Sequence, residues 1–315
     1  MRDIDVLRQI TQQVADADFW LFDPKDPVRG FDPQVRVYYH LAQDADSVTL
    51  DFMDTAGNTI VTYASGPEAE AEEEQEEQEE AGEQAEADAE GPAREAGSHS
   101  FSWTMRDEGW TEFEGRIFWA AGNIGPALLP GPYQVRLTVD GESQGREFEI
   151  HMNPRAAASG VTMADLEERY RFASQIRDRV SQANEAVLEI RDLKEQVDDR
   201  LERTDEASVE ELAQMVRERL TRVEEAVYQT QSRSAQDPLN FPIRINNRLA
   251  ALLSLVEGSE NRPTNQSYEV YEVLSEELEV QLQELEVIIR DDVSRLNQLL
   301  REEGLPTINT RRLLS

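Results

Sequence analysis

Residues 228–252, YQTQSRSAQDPLNFPIRINNRLAAL, interrupt long charged and apolar helical patterns with amides and two prolines. A catalytic loop, a linker or a corner between helices could each look like this. Asp237 and Asn240 are good helix caps, and proline is tolerated in a first turn because the amide it lacks has no partner there. DPLNFP therefore predicts a helix start. At about 100° per residue, Phe241, Ile245, Leu249, Leu252 and Val256 fall on one face, with Asn246 at its edge. The opposite face holds Ile243, Asn247, Ala250 and Ser254, small and uncharged in a very acidic chain. These four form a candidate interaction surface, predicted to be covered by a β-domain or by another domain. Gln229, Gln231, Asn240, Asn246 and Asn247 could bind a ligand, but amides at a corner more often satisfy backbone groups. None of them is a nucleophile or a proton-transfer group near neutral pH, so the stretch reads as a corner.

Outward from that corner the pattern is helical on both sides. Leu166, Tyr170, Ala173, Ile176, Val180, Ala183, Val187, Ile190, Val197 and Leu201 follow three- and four-residue steps, opened by Thr162 and Asp165 in capping-box positions. Ser208 and Glu211 repeat the box ahead of Val209, Leu212, Val216, Leu220, Val223 and Val227. A last helix starts near Thr264, carries Tyr271, Leu274, Leu278, Leu282, Leu285, Ile289, Leu296 and Leu299, and stops at Gly304 before Pro306. Residues 161–303 are expected to form an antiparallel bundle of about four helices, with 304–315 as a tail.

The first half has a different period. VRVYYHL, SVTLDFM and TIVTYA alternate or run apolar, DTAGN is a turn, and PGPYQVRLTVDGESQGREFEIHM supplies two strands joined at Asp140 and Gly141. Short strands without interleaved helices predict an antiparallel, immunoglobulin-like sandwich over residues 32–154, with 1–31 as leader or linker. Residues 66–97 are expected to be a disordered acidic insertion, because their like charges repel and they have almost nothing to bury.

The formal net charge is −34. Fourteen acidic residues stand against Arg94 between Glu68 and Glu95, yet the rest of the chain still carries −21, so the acidity is general. Such a surface repels phosphate backbones and anionic headgroups, and argues against nucleic acid as a partner. Only Lys25 and Lys194 are lysines; the other 29 basic residues are arginine. Acid excess with scarce lysine points to a halophilic setting, where salt screens the self-repulsion. A melting temperature that rises along a salt series, followed by circular dichroism, is the expected result; a salt-independent one would argue for base composition instead.

There is no cysteine, and His40, His99 and His151 form no close-spaced pair. No metal or cofactor motif, phosphate-binding loop or nucleophile elbow occurs. Among 65 acidic residues a carboxylate pair is expected by chance and carries no signal. Trp103, Trp110 and Trp119 are a candidate glycan platform, although core packing in the sandwich is the commoner use. The apolar cluster around Leu249–Val256 is far shorter than a membrane span, and residues 1–19 do not read as a secretory signal.

LFDPKDPVRG, SVTLDFMDTAGNTI, LPGPYQVRLTVDGESQGREFEI with NPR, and above all YQTQSRSAQDPLNFPIRINNRLAALLSLVEG with QSYEVYEVLSEEL resemble the C-terminal region of bacterial sortilin-like, VPS10-type β-propeller proteins. Those proteins are usually exported and are often labelled glycosyl hydrolases, because their blades carry BNR repeats. No Ser-x-Asp-x-Gly-x-Thr-Trp blade repeat occurs here, so the resemblance implies neither a propeller nor catalytic residues in this chain. Met1 is then expected to mark a truncated gene, a split gene or an artificial boundary, and export would need a signal upstream of it. The resulting expectation is a non-enzymatic accessory module that supports or docks a propeller and binds protein. The alternatives are a carbohydrate-binding module and a scaffold that self-associates through its near-heptad helices.

Overall fold

The computed structural model describes residues 5–30, 33–67, 91–234 and 236–310. Two short helices, α1 (Asp5–Gln9) and α2 (Gln12–Ala15), lead into seven strands: β1 (Phe19–Leu21), β2 (Val35–Leu41), β3 (Val48–Met53), β4 (Thr59–Ser65), β5 (Gly97–Trp103), β6 (Gly131–Val139) and β7 (Glu142–Ile150). Helices follow: α3 (Pro154–Ala158), α4 (Met163–Leu201), α5 (Ala207–Val227), α6 (Ile245–Glu257), α7 (Asn265–Val287), a π-helical turn (Ile288–Val293) and α8 (Ser294–Glu302). The chain divides into two compact units. One takes in described residues of 1–108, 125–170 and 260–262; the other takes in those of 109–124, 171–259 and from 263 onwards.

The first unit holds two antiparallel sheets, ordered β1-β2-β5 and β4-β3-β6-β7. Alternation decides which side chains they bury: Val35, Val37, Tyr39 and Leu41 from β2, and Val48, Leu50 and Phe52 from β3, enter one shared core. On the other face of β3, Asp51 lies opposite both Thr62 and Arg136. It accepts from Thr62 Oγ1 at 2.7 Å and from Arg136 Nη2 at 2.9 Å, so the cross-strand pairs carry their own charge compensation. The β6–β7 hairpin turns at Asp140 and Gly141, both with positive φ (49° and 89°), the geometry of a two-residue type I′ turn. The DTAGN turn closes on Asp54, whose carboxylate accepts from the Ala56 and Asn58 amides and the Asn58 side chain; these bonds, that of the side chain first, hold its pKa low.

Two expected boundaries differ. Residues 1–31 are not all leader, because β1 pairs with β2 and the Gln144 side chain bridges it to β7, donating to Phe19 O and accepting from Leu21 N, both at 3.0 Å. The sequence hides this strand because three residues give no alternation to read. Of the acidic insertion expected over 66–97, residues 68–90 lie outside the described residues, but 91–97 are ordered. Pro92 is buried, and Tyr39 donates its hydroxyl to Ala93 O at 2.8 Å. Burial, with the Glu95 carboxylate adding to it, pushes the Tyr39 phenol pKa up.

In the second unit about four long helices share one core. The start of α4 lies in the first unit; there the Thr162–Asp165 box forms as the spacing predicts, with Asp165 Oδ2 accepting from Thr162 N at 2.9 Å, and the Asp165 pKa is lowered mainly by the Thr162 hydroxyl. Thr264 caps α7 by accepting from Ser267 N. The Ser208–Glu211 box does not form. Helix α5 begins at Ala207 with Glu206 at its cap, and Ser208 bonds Glu206 instead.

The π-helical turn corrects the last stripe. Beyond Leu285 the buried residues of the helix are Ile288, Val293, Leu296 and Leu300, with Ile308 buried past its end, whereas Ile289 and Leu299 are only partly buried. The five-residue step from Ile288 to Val293 is the wider turn, which rotates the following face by one residue. Arg219 of α5 fastens this place, pairing with Glu284 at 2.5 Å and with Asp292 inside the π turn. Those partners, Glu284 first, raise the guanidinium pKa.

Candidate functional site

The opening stretch is a corner, built differently from the caps its sequence predicts. Asp237 to Leu239 form only a 3₁₀ turn, and Asp237 faces backwards, accepting from the amides of Arg233 and Ser234 at 2.6 and 3.0 Å. Helix α6 starts seven residues after Pro238, at Ile245, with Arg244 at its cap and no side-chain cap bond. Gln229 donates to Pro242 O at 2.9 Å and accepts from Gln231 N, pinning the two ends of the corner together. Of the expected core face, Ile245, Leu249, Leu252 and Val256 are buried, while Phe241 lies outside the helix and is half-buried.

The back face of α6 is where sequence and structure meet least simply. Ala250 is fully buried and Asn247 nearly so, whereas Ile243 and Ser254 are half-buried. Asn247 is covered from within the helical unit, by residues 109–124, which lie in sequence between β5 and β6. Its amide forms a two-bond clasp with Trp119, accepting from Trp119 N at 2.8 Å and donating to Trp119 O at 2.9 Å. Beside it Asn246, fully buried, donates to Asn184 Oδ1 at 3.1 Å, and Asn184, also fully buried, donates to Thr111 O at 2.8 Å.

Segment 109–124 has no regular ladder, so its backbone groups find partners on helical side chains. Ser181 accepts from Thr111 N, Arg191 donates to Glu114 O, and the Tyr228 hydroxyl donates to Gly115 O while accepting from Ile117 N. Within the segment, Asn123 accepts from Trp110 N and donates to Trp110 O. Trp110 and Phe113 supply its apolar anchors, 3% and 7% exposed in the helical core. Phe113 meets Tyr228 edge-on at 5.0 Å, and Arg191 lies over Phe113 at 4.8 Å. The segment is thus a strap, clasped by amides and hydroxyls from α4, the corner and α6. Its sequence, Gly-rich and aromatic among strands, reads as sandwich; only pairing partners more than sixty residues away reveal it.

The three tryptophans are not brought together as a platform. Trp103 is 1% exposed in the core of the two sheets, stacked on Phe52 at 4.2 Å. Trp110 packs in the helical core rather than in the sandwich, and Trp119, 48% exposed, alone presents its ring to solvent. Elsewhere on this unit, Val270, Val273 and Val280 of α7 are exposed on an arc of about 80°. Glu277 within that arc pairs with Arg248 of α6 at 2.6 Å. These valines lie off the buried stripe of α7, so its apolar period does not mark them.

No group of three or more histidines, aspartates or glutamates that could hold a metal ion occurs among the described residues, and no described helix is long and apolar enough to cross a membrane. No family model matches the sequence, and neither does any curated protein. Among solved structures, CopC from Methylosinus trichosporium OB3b is similar at 15% identity and a TM-score of 0.21, over 43% of this chain and 95% of CopC.

Proposed function

We propose that the chain is a non-catalytic accessory module, an immunoglobulin-like sandwich followed by an antiparallel helical bundle, that binds protein and supports or docks a sortilin-like propeller. The observation that carries this reading is the exposed row Val270, Val273 and Val280 on α7. Three β-branched apolar side chains, 45–61% exposed on one arc of a helix rich in glutamate, fit a partner's apolar surface. Of the amides that resembled a ligand site, Asn247 is committed to the strap, Asn246 to Asn184 and Gln229 to the corner, which fits a rigid scaffold better than a reactive site. Isothermal titration of the chain against a purified sortilin-like propeller is the test. Binding at about 1 µM or tighter, weakened at least roughly tenfold by Val273→Asp with Val280→Asp, is expected; undetectable binding, or binding indifferent to those changes, would defeat the proposal. The exposed ring of Trp119 supports a second reading, carbohydrate binding. It requires a glycan-array signal that vanishes in Trp119→Ala.

A further inference from the structure

A cleft of ≈ 260 Å³ opens on the helical unit between α4, α5 and the corner that follows α5. Its size is below the roughly 300–1,000 Å³ of sites for drug-sized ligands, so it suits a small one. Arg191, Lys194 and Arg233 line it, with Glu224 as the counter-charge. Three cations to one carboxylate reverse the sign of a chain whose net charge is −34, and Lys194 is one of only two lysines in it.

The cleft is also built. Both Glu224 oxygens are occupied, Oε1 by Arg191 Nε at 3.1 Å and Oε2 by Lys194 Nζ at 2.9 Å. Arg191 is further fixed by its bond to Glu114 O and by the rings of Phe113 and Tyr228, at 4.8 and 5.5 Å. Neither cation is exhausted by these bonds: an ammonium has three donors and a guanidinium five. Glu224 therefore holds two charged donors in place and leaves others free for a guest. The independent observation is Ser232. It lines the cleft, is only 4% exposed, and its Oγ is buried without a hydrogen-bond partner. An unpaired buried hydroxyl costs stability unless something else pairs with it.

We propose that this cleft binds a small tetrahedral oxyanion, a phosphate or sulfate group, held by Arg191, Lys194 and Arg233 and accepting a hydrogen bond from Ser232. Guanidinium and ammonium donors with a hydroxyl match the several acceptor oxygens of such a group, whereas a halide offers a single centre. This site is independent of the valine row and stands or falls separately from propeller binding.

The test is calorimetric titration of the full chain with inorganic phosphate and sulfate, at ionic strength matched with sodium chloride. A sugar phosphate in a parallel arm distinguishes a free anion from a phosphoryl group carried on a larger molecule. Saturable binding of the oxyanions above the chloride baseline is expected, with Arg233→Gln weakening it about tenfold, as loss of a charged hydrogen bond implies. Ser232→Ala gives a result that a purely structural serine would not. It is expected to weaken the anion while leaving the unliganded melting temperature unchanged or higher, since the hydroxyl has no partner to lose. No binding beyond the chloride control, or wild-type affinity in both variants, would overturn the proposal.

Discussion

Trp110→Ala is expected to destabilise the helical unit by about 3–5 kcal/mol, the usual cost of truncating a large buried aromatic. Trp110 is 3% exposed in the helical core, although its residue number places it among the strands. The loss has two parts: the transfer free energy of the ring, and a cavity under a strap that has no ladder to hold it shut. Trp119→Ala nine residues later is the matched control. Its ring is 48% exposed, and its contacts to Asn247 are made by backbone atoms that the substitution keeps, so a change within about 0.5 kcal/mol is expected. Urea unfolding followed at 222 nm, where helix dominates the signal, measures both. Trp110→Phe should fall between them, because the indole N–H has no hydrogen-bond partner to lose. Equal effects at positions 110 and 119 would show that the strap is not anchored as described.

Asn184→Leu is the second large effect, about 2–4 kcal/mol. The side chain is fully buried, and its removal strands two groups, the Asn246 amide and the Thr111 carbonyl, each at a cost of about 1–3 kcal/mol. The double variant Asn184→Leu with Asn246→Leu removes both partners of the amide pair. It should therefore cost less than the sum of the two single changes, and a double-mutant cycle reads the coupling directly. Additive losses would mean that the two amides do not act as a pair. The strap makes the reason plain. An irregular segment has as many backbone donors and acceptors as a strand, and here they are met by Asn184, Asn247, Ser181, Arg191 and Tyr228.

Much of this was legible beforehand, and the particulars show why. The stripe Val209, Leu212, Val216, Leu220, Val223 and Val227 is buried throughout, since an unbroken helix keeps its period. The last helix kept its period only as far as Leu285, because a π turn adds a residue without marking the sequence. The Asp140–Gly141 hairpin was readable because positive φ at two adjacent residues demands such types. The Asp237 cap was misplaced because an aspartate can accept from the amides before it as well as from those after it. The candidate surface Ile243, Asn247, Ala250 and Ser254 reads as a covered face from its lack of charge. What covers Asn247 was not readable, since no local pattern couples residue 247 to residue 119.

The sequence by itself determined the two classes of secondary structure, their order, the generally acidic surface and the amide-rich corner after α5. These depend on period, on turn chemistry and on charge, all of which act between near neighbours along the chain. Only the tertiary structure decided that residues 109–124 belong with the helices, that Trp103 and Trp110 lie in different cores, and that Ser232 is buried beside three cations. Those outcomes follow from pairing irregular backbone and from desolvating polar groups, and the partners in such pairings are chosen by proximity in space, which a linear pattern does not encode.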